Sequence, residues 1–160
     1  MFRILKPGGK LGFYDWVMSE KYDPKSKSHN DLKLSIERGN GIANLISKND
    51  VFELLKKSGF EIIEFEDLAE YKTRISKGND VHWNQVFAPG FSWDRLSMTK
   101  AARWCINKIL LFFEIINLAP KGTSQIHNTL SKGADALFEA GQTGIFTPML
   151  FVIAKKPVVV

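Results

Sequence analysis

The sequence predicts an α/β fold, with strands at residues 10–17, 61–68 and 146–155 and helices between them. Residues 10–17 are rich in aromatic and β-branched side chains, which favour strands. Residues 146–155 form a nearly continuous apolar run, which is typical of a strand buried on both faces. Because three strands are few for this many helices, we expect them to form one edge of a larger sheet.

The first predicted element is the last turn of a helix at residues 2–6. Pro7 ends this helix, and Gly8 and Gly9 permit the tight turn that leads into the first strand. A natural domain seldom begins with the end of a helix. We therefore expect the chain to be a truncated piece of a longer protein, or a gene model that starts inside one.

Further helical segments are predicted at residues 30–38, 50–58, 97–118 and 123–140. The first is expected to end at Gly39 and the last at Gly141. Ser47 and Asp50 have the spacing of a capping box before the second. Residues 97–118 form one long helix or a pair of helices, with apolar side chains most of the way round.

Composition and charge indicate which kinds of molecule the chain is expected to bind. The net charge is +5, from 22 basic and 17 acidic residues, and the lysines are spread over the whole chain. A nucleic-acid-binding surface usually gathers its charge into a patch, so no nucleic-acid partner is expected. Weak attraction to an anionic membrane surface fits the charge equally well. No apolar run is long enough to predict a transmembrane segment, and no signal peptide is visible.

A metal site is not expected. Cys105 is the one cysteine, so an intrachain disulfide and a cysteine-based metal centre are both excluded. The three histidines are scattered and lack the spacing of metal ligands.

Residues 5–13 (LKPGGKLGF) are the first stretch that points to a family. A helix, the sequence L-K-P-G-G and a strand in this order resemble the approach to the fifth strand of class I, Rossmann-like methyltransferases, which use S-adenosylmethionine. Here proline stops the helix and the glycines allow the chain to reverse onto the sheet. An ordinary helix-to-strand turn is the alternative interpretation.

Later stretches resemble the sterol 24-C-methyltransferase family and keep the order found in that family. They are residues 14–23 (YDWVMSEKYD), 39–42 (GNGI), 66–69 (EDLA), 118–122 (LAPKG), 145–149 (IFTPM) and 154–157 (AKKP). The resemblance covers nearly the whole chain and concerns the C-terminal part of the family only. It implies that the three strands are the fifth, sixth and seventh of the family's sheet, with the seventh antiparallel between the other two. It also implies a division into 1–68, the end of the Rossmann-like domain, and 69–160, the sterol methyltransferase C-terminal region with the last strand.

The resemblance implies a reaction as well, the transfer of a methyl group from S-adenosylmethionine to carbon 24 of a sterol side chain. The side-chain double bond attacks the methyl group, a cation forms, a hydride shifts and a proton is lost. This chemistry needs an apolar cavity, aromatic faces beside the cation and a base. The glycine-rich turn that binds the donor is absent from this sequence. S-adenosylmethionine is therefore expected to bind as co-substrate of the full-length enzyme only, and the chain alone is expected to be inactive.

Four candidate sterol-binding residues lie at the end of the first strand, and they are Tyr14, Asp15, Trp16 and Met18. Tyr14 and Trp16 share one face of the strand and Asp15 takes the other. Open α/β sheets place ligands at the carboxyl ends of their strands. The two aromatic residues offer π faces or line the cavity, and Asp15 balances a charge. The alternative is that the aromatics are core and Asp15 is a surface acid or a helix cap.

Trp83 is a further candidate, in a long irregular segment at residues 71–94. The resemblance aligns Trp83 with an I-P-W-Y stretch of the family, although His82 and Asn84 depart from that pattern. A tryptophan in such a segment either covers a ligand or fills the core. The base that accepts the proton is not identified.

The predicted helix at 97–118 has an apolar face formed by Ile106, Ile109, Leu110, Phe113 and Ile116. Core packing is the commoner explanation for such a face. The alternative is that this face borders the sterol cavity or rests on a membrane surface.

Two other functions remain open from the sequence. One is a non-catalytic module that binds a sterol or another lipid, and the other is a related methyltransferase acting on another lipid or a small molecule. By resemblance, the chain is expected at the cytosol-facing surface of the endoplasmic reticulum or microsomal membrane, in peripheral association. A homo-oligomer is compatible with the sequence.

Overall fold

The computed structural model describes residues 1–69, 82–88 and 99–158. These residues form two compact units. The first unit takes its described residues from Met1–Asp23, Leu45–His82 and Gly144–Val160, and the second takes them from Pro24–Asn44 and Trp83–Thr143. The division of the chain at residue 68 that the resemblance implies stays a prediction.

The first unit contains a three-stranded sheet. Its strands are β1 (Lys10–Met18), β2 (Glu61–Asp67) and β3 (Phe146–Lys155). The order across the sheet is β1-β3-β2, and β3 runs antiparallel to both neighbours. The three predicted strands are thus confirmed, as is the expected place of the C-terminal strand between the other two.

One face of this sheet is covered by α2 (Lys48–Lys57). The buried cluster on this face consists of Val17, Val51, Leu55, Phe60, Leu150, Val152 and Ala154. The predicted capping box at the start of α2 is confirmed. The Ser47 hydroxyl accepts the N–H of Asp50 at 3.1 Å, and the Asp50 carboxylate accepts the N–H of Ser47 at 3.1 Å. These two bonds satisfy donors that the first turn of a helix otherwise leaves unpaired.

The segment before β1 differs from the prediction, because residues 2–4 form a hydrogen-bonded turn and not the end of a helix. The Ile4 N–H donates to the Met1 carbonyl at 3.1 Å. The Lys156 ammonium then donates to the carbonyls of Phe2 and Leu5, at 3.0 and 2.9 Å. Lys156, which follows β3, therefore donates hydrogen bonds to carbonyls that would accept backbone N–H groups if the helix continued.

The second unit is helical in its described residues. It contains α1 (Lys27–Asn40), a 3-10 turn (Trp83–Phe87), α3 (Lys100–Ile115) and α4 (Thr123–Thr143). The predicted helix ends at Gly39 and Gly141 are wrong, since both glycines lie inside helices. The chain leaves α1 at Gly41 and leaves α4 by way of Gly144, where φ is 66° and 70°. Glycine adopts this left-handed conformation without steric cost, which is why helices often stop there.

Helix α3 is shorter than predicted. Thr99 caps its N-terminus by accepting the N–H of Ala102 at 3.2 Å, and residues 97 and 98 lie outside the described part of the chain. No residue of α3 is buried. Of the predicted apolar face, Leu110 and Phe113 are half-buried and the other three residues are exposed. Core packing is therefore the wrong interpretation of this face within the described structure. No helix among the described residues is both long and apolar enough to cross a bilayer.

Candidate functional site

The second half of β1 carries two aromatic side chains, each of which contacts an aromatic residue of β3. The ring centroids of Tyr14 and Phe151 lie 6.0 Å apart, and those of Trp16 and Phe146 lie 5.4 Å apart with nearly perpendicular planes. Such distances and tilts are favourable for aromatic pairs. We call these four residues the aromatic row. Its members differ in accessibility, because Tyr14 is 66% exposed and Phe146 is buried.

A bulge in β3 explains how both pairs form. Asp15 pairs with Leu150, but Val17 pairs with Thr147, so β3 contributes one more residue than β1 over this interval. Pro148 lies in the bulge, where a residue without an N–H breaks no ladder bond. Phe146 and Phe151 are five positions apart, so in a regular strand they would lie on opposite faces. The extra residue in the bulge puts both on the same face of the sheet. The sequence alone did not reveal this bulge.

Asp15 lies on the surface of the sheet. Its side chain is exposed and its carboxylate accepts the N–H of Trp16 at 2.8 Å. This position agrees with the interpretation of Asp15 as a surface acid. A role for Asp15 in balancing a charge stays a proposal.

Met18 ends β1 and is fully buried. Its N–H donates to the Ile46 carbonyl at 2.9 Å, and it forms an isolated bridge with Ser47. Met18 thus ties the end of β1 to the segment that caps α2. Contact with a sterol stays a prediction for this residue.

A cavity of about 660 Å³ opens at the carboxyl ends of β1 and β2. Its charged lining consists of Glu20, Lys21, Lys48, Glu64, Glu66 and Asp67, and its other lining residues are Val17, Ser19, Phe65, Gly144, Thr147 and Leu150. This is the edge at which open α/β sheets bind ligands. The sequence interpretation pointed to this edge but to β1 alone, and it missed the acidic contribution of β2.

Lys48 organises one wall of the cavity. Its ammonium lies 2.8 Å from the Glu20 carboxylate and 5.3 Å from the centroid of the Phe65 ring. The hydrogen bond from Lys48, and then its charge, lower the pKa of Glu20 below the ordinary value of 4.5. Because Glu20 is exposed, solvent screening keeps this pair weak.

Two family-like stretches meet in the opposite wall. The Thr147 hydroxyl donates to the Asp67 carboxylate at 2.8 Å, and the same carboxylate accepts the N–H of Ala69 at 3.0 Å. Asp67 belongs to the EDLA stretch and Thr147 to the FTPM stretch. The bond between Asp67 and Thr147 fixes the end of β2 to β3. Both stretches therefore have a structural role in the sheet. The contact between these two stretches is not apparent from the sequence, because they lie 80 residues apart.

Trp83 belongs to the second unit, whereas Tyr14, Asp15, Trp16 and Met18 belong to the first. Trp83 is half-buried and begins the 3-10 turn. The next residue, Asn84, is 2% exposed and its amide donates to the Phe138 carbonyl of α4 at 3.1 Å. Asn84 departs from the family pattern, and its side chain holds the turn against α4.

The expectation that this chain lacks the donor-binding turn stays a prediction. β1 continues into Ser19, Glu20 and Lys21, and β2 continues into Leu68 and Ala69, so neither strand is followed by a glycine-rich turn. Among the described residues, no cluster of three or more His, Cys, Asp or Glu side chains suits a metal ion.

The fold is similar to part of a solved methyltransferase structure. A solved structure from Galdieria sulphuraria, assigned as a sarcosine dimethylglycine methyltransferase, matches 99% of this chain with a TM-score of 0.51. The match covers 46% of that protein and, at 16% identity, bears on the fold alone.

Sequence comparisons show which proteins the chain resembles. Residues 93–158 match the family described as "Sterol methyltransferase C-terminal". The sterol 24-C-methyltransferase of Neurospora crassa is 35% identical over 161 aligned positions, which cover 98% of this chain and 42% of that protein. The 24-methylenesterol C-methyltransferase 3 of Arabidopsis thaliana is 36% identical and is covered over 39% of its length. The predicted resemblance is confirmed: the chain corresponds to the C-terminal part of the sterol 24-C-methyltransferases, and it spans about two fifths of their length.

Proposed function

We propose that this chain is the C-terminal part of an S-adenosylmethionine-dependent methyltransferase that methylates carbon 24 of a sterol side chain. The observation that carries this proposal is the aromatic row, whose Tyr14 and Trp16 lie near the carboxyl end of β1. The relatives named for sterol methylation match the chain along nearly its whole length, which supports the same substrate class.

The proposed role of the aromatic row is to stabilise positive charge. When the side-chain double bond takes the methyl group, the carbon–sulfur bond of the donor breaks and a cation is left on the sterol. An indole or phenol face beside such a cation stabilises it by about 0.5–2 kcal/mol. Tyr14 is exposed enough to meet a substrate, and Trp16 is oriented by its contact with Phe146. Donor binding and the choice of base are left to residues beyond those described.

The sterol substrate suggests a setting for the enzyme. Sterols reside in membranes, so we propose peripheral association of the chain with the cytosol-facing surface of the endoplasmic reticulum. A homo-oligomer remains compatible with this proposal and is not needed by it.

A chimeric enzyme tests the proposed function. The C-terminal part of the Neurospora crassa relative is replaced by residues 1–160, and incorporation of labelled methyl from S-adenosylmethionine into sterol is measured. We expect the chimera to methylate sterol and the isolated chain to be inactive, without donor binding in calorimetric titration. A folded chimera that binds donor but methylates no sterol contradicts the proposal. If the isolated chain then still binds sterol, the non-catalytic lipid-binding function takes its place.

A further inference from the structure

Helices α3 and α4 contact each other through polar side chains. The Arg103 guanidinium donates to the Ser131 carbonyl at 2.8 Å and forms an ion pair with Asp135. The Asn107 amide donates to the Ser124 carbonyl at 2.8 Å. Residues 103 and 107 lie one turn apart, so they mark the side of α3 that faces α4. We call residues 100–143 the α3–α4 hairpin.

Glu114 extends the same polar contact along α3. Its carboxylate accepts the N–H of Ser124 in the first turn of α4, where a helix has unpaired donors and a positive dipole end. Position 114 is seven residues from 107, which is two helical turns. The polar stripe of α3 is therefore directed into the hairpin along most of the helix.

Most of the large apolar side chains of α3 lie outside this polar stripe, although Leu110 shares its side of the helix and is half-buried. Trp104 is 63% exposed and Ile115 is 70% exposed. The other large apolar side chains exposed on or just after α3 are Ile106, Ile109, Leu111, Phe112, Ile116 and Leu118. In the described part of the chain, this helix turns its polar side inward and its apolar side to solvent. Exposed apolar patches of this kind mark surfaces that bind a partner or a membrane.

A basic groove runs along the same hairpin. It has a volume of about 490 Å³ and is lined by Lys100, Lys108 and Lys132 together with Arg103. Asp135 is the one acidic residue in its lining, and Arg103 already pairs with that carboxylate. The three lysines make no ion pair with any residue that the structure describes. Among the described residues, the positive charge of these lysines is therefore not compensated by an ion pair.

The groove and the apolar surface adjoin each other on α3. Positions 100, 104, 108, 111 and 115 follow one another at intervals of three or four, so they share one side of the helix. The lysines occupy the N-terminal half of this side, while Leu111 and Ile115 occupy the C-terminal half. Trp104 lies between the lysines, and the Lys108 ammonium is 5.7 Å from its ring centroid. Tryptophan beside lysine is common where a protein meets the lipid headgroup region.

We propose that the α3–α4 hairpin docks on an anionic bilayer surface. The lysines of the groove contact the phosphates and acidic headgroups of the lipids, and Trp104, Phe112 and Ile115 enter the boundary between headgroups and acyl chains. Charge complementarity distinguishes this occupant from a protein partner, because an apolar surface alone favours neither. The inference supplies a surface for the membrane association named with the proposed function. It rests on the residues of the hairpin and does not require methyl transfer.

Vesicle flotation tests the docking surface with the full chain. One set of vesicles is pure phosphatidylcholine and the other contains about a third phosphatidylserine. We expect binding to the anionic set, weak binding to the neutral set, and a loss of binding at high salt because salt screens the charges. Lys108→Ala and Lys132→Ala should each weaken binding about fivefold. Ile115→Asp should weaken it further, because the substitution puts a charge among the acyl chains.

Matched controls come from α2, which lies in the other unit. Leu54 and Lys57 are exposed on α2, so Leu54→Asp and Lys57→Ala change similar side chains outside the hairpin. These variants should bind like the unchanged chain, and circular dichroism verifies that every variant is folded. Trp104→Phe should remove most of the quenching of tryptophan fluorescence by brominated lipid. This variant keeps an apolar ring and supplies a readout that loss of folding cannot imitate.

Four results with vesicles would overturn the inference. They are equal binding to neutral and anionic vesicles, no binding to either set, equal losses in the α2 controls, and quenching that Trp104→Phe leaves unchanged. If Ile115→Asp instead dissolves a dimer seen by sedimentation, the apolar side is an interface between copies and the inference fails. The assay contains neither sterol nor methyl donor, so its failure and a failure of the chimera remain distinguishable.

Discussion

Gly39 of α1 lies directly against Gly133 of α4. A Cβ on Gly39 would lie 2.5 Å from the Cα of Gly133, and a Cβ on Gly133 would lie 2.8 Å from the Cα of Gly39. Because the obstacle in each case is backbone, no side-chain rotation can relieve the clash. The two helices can approach this closely only where both residues lack a side chain.

Gly39→Ala and Gly133→Ala should therefore each destabilise the second unit. Overpacking of this kind costs about 1–3 kcal/mol, and part of this cost is offset because alanine favours a helix. Thermal unfolding measures the change, which is about 2–4 °C in Tm per kcal/mol for a chain of this size. Gly12→Ala is the control, because a Cβ there meets nothing within 4 Å. Unchanged melting of both helix variants would contradict the close approach.

The capping box of α2 gives a second prediction. Ser47→Ala removes the hydroxyl that accepts the Asp50 N–H, and this should lower the free energy of unfolding by about 0.5–2 kcal/mol. Urea unfolding followed by circular dichroism measures the loss. Ser58→Ala at the other end of α2 should change the free energy by less than about 0.5 kcal/mol. Equal effects at the two ends would show that the cap is not what stabilises the helix.

Glu114 gives a pH dependence. The N–H and the hydroxyl of Ser124 lower the pKa of Glu114 below its ordinary value of 4.5. An acid with a lowered pKa in the folded state contributes stability above its unfolded pKa, and this contribution is lost as the pH falls through the folded pKa. Glu114→Gln should therefore lower the Tm at pH 7, and the difference from the unchanged chain should shrink as the pH falls below about 4.

Melting of both proteins between pH 7 and pH 3 checks this prediction. Glu139→Gln, a matched change at an exposed position of α4, should give a small difference at all these pH values. A constant gap between the unchanged chain and Glu114→Gln would mean that charge plays no part in the contact with Ser124.

Trp16 tests the aromatic row in the chimeric enzyme. If the indole stabilises a cation, Trp16→Leu should lower turnover more than sterol affinity, because the cation exists only along the reaction path. A contact of about 0.5–2 kcal/mol corresponds to roughly a 2- to 30-fold loss of rate. Trp16→Phe keeps a π face and should retain more activity than Trp16→Leu. A leucine variant that melts earlier but has normal turnover per folded molecule would leave Trp16 with a packing role.

Helix ends show where sequence reasoning succeeded and where it did not. The start of α2 was predictable, because a capping box is a local pattern of side chains and backbone. Gly39 and Gly141 misled the analysis, because a glycine that ends a helix looks the same in sequence as a glycine that admits a neighbour. A Cβ on Gly141 would lie 2.4 Å from the Cβ of Asn84, so this glycine is required by packing inside the second unit.

The candidate site, like the helix ends, was predictable only in part. Alternation along β1 placed Tyr14 and Trp16 on one face, and both contact aromatic residues of β3. The bulge at Pro148 and the bond between Asp67 and Thr147 depend on partners far away in sequence, which no local pattern reveals. The sequence left two interpretations of the apolar face of α3 open for the same reason, since its apolar residues alone do not tell which side faces α4.

The position of β3 sets an order of events during folding. Of the three strands in the described residues, β3 alone bonds to both of the others. Lys10 pairs with Lys155 near the opposite end of the sequence. Contacts between such distant residues form slowly, because a long loop must close before any pairing is gained. A ribosome that synthesises this chain releases β1 and β2 well before their shared neighbour exists. Until β3 emerges, both strands have unpaired edges that other chains can bind, and the helices of the second unit are free to fold first.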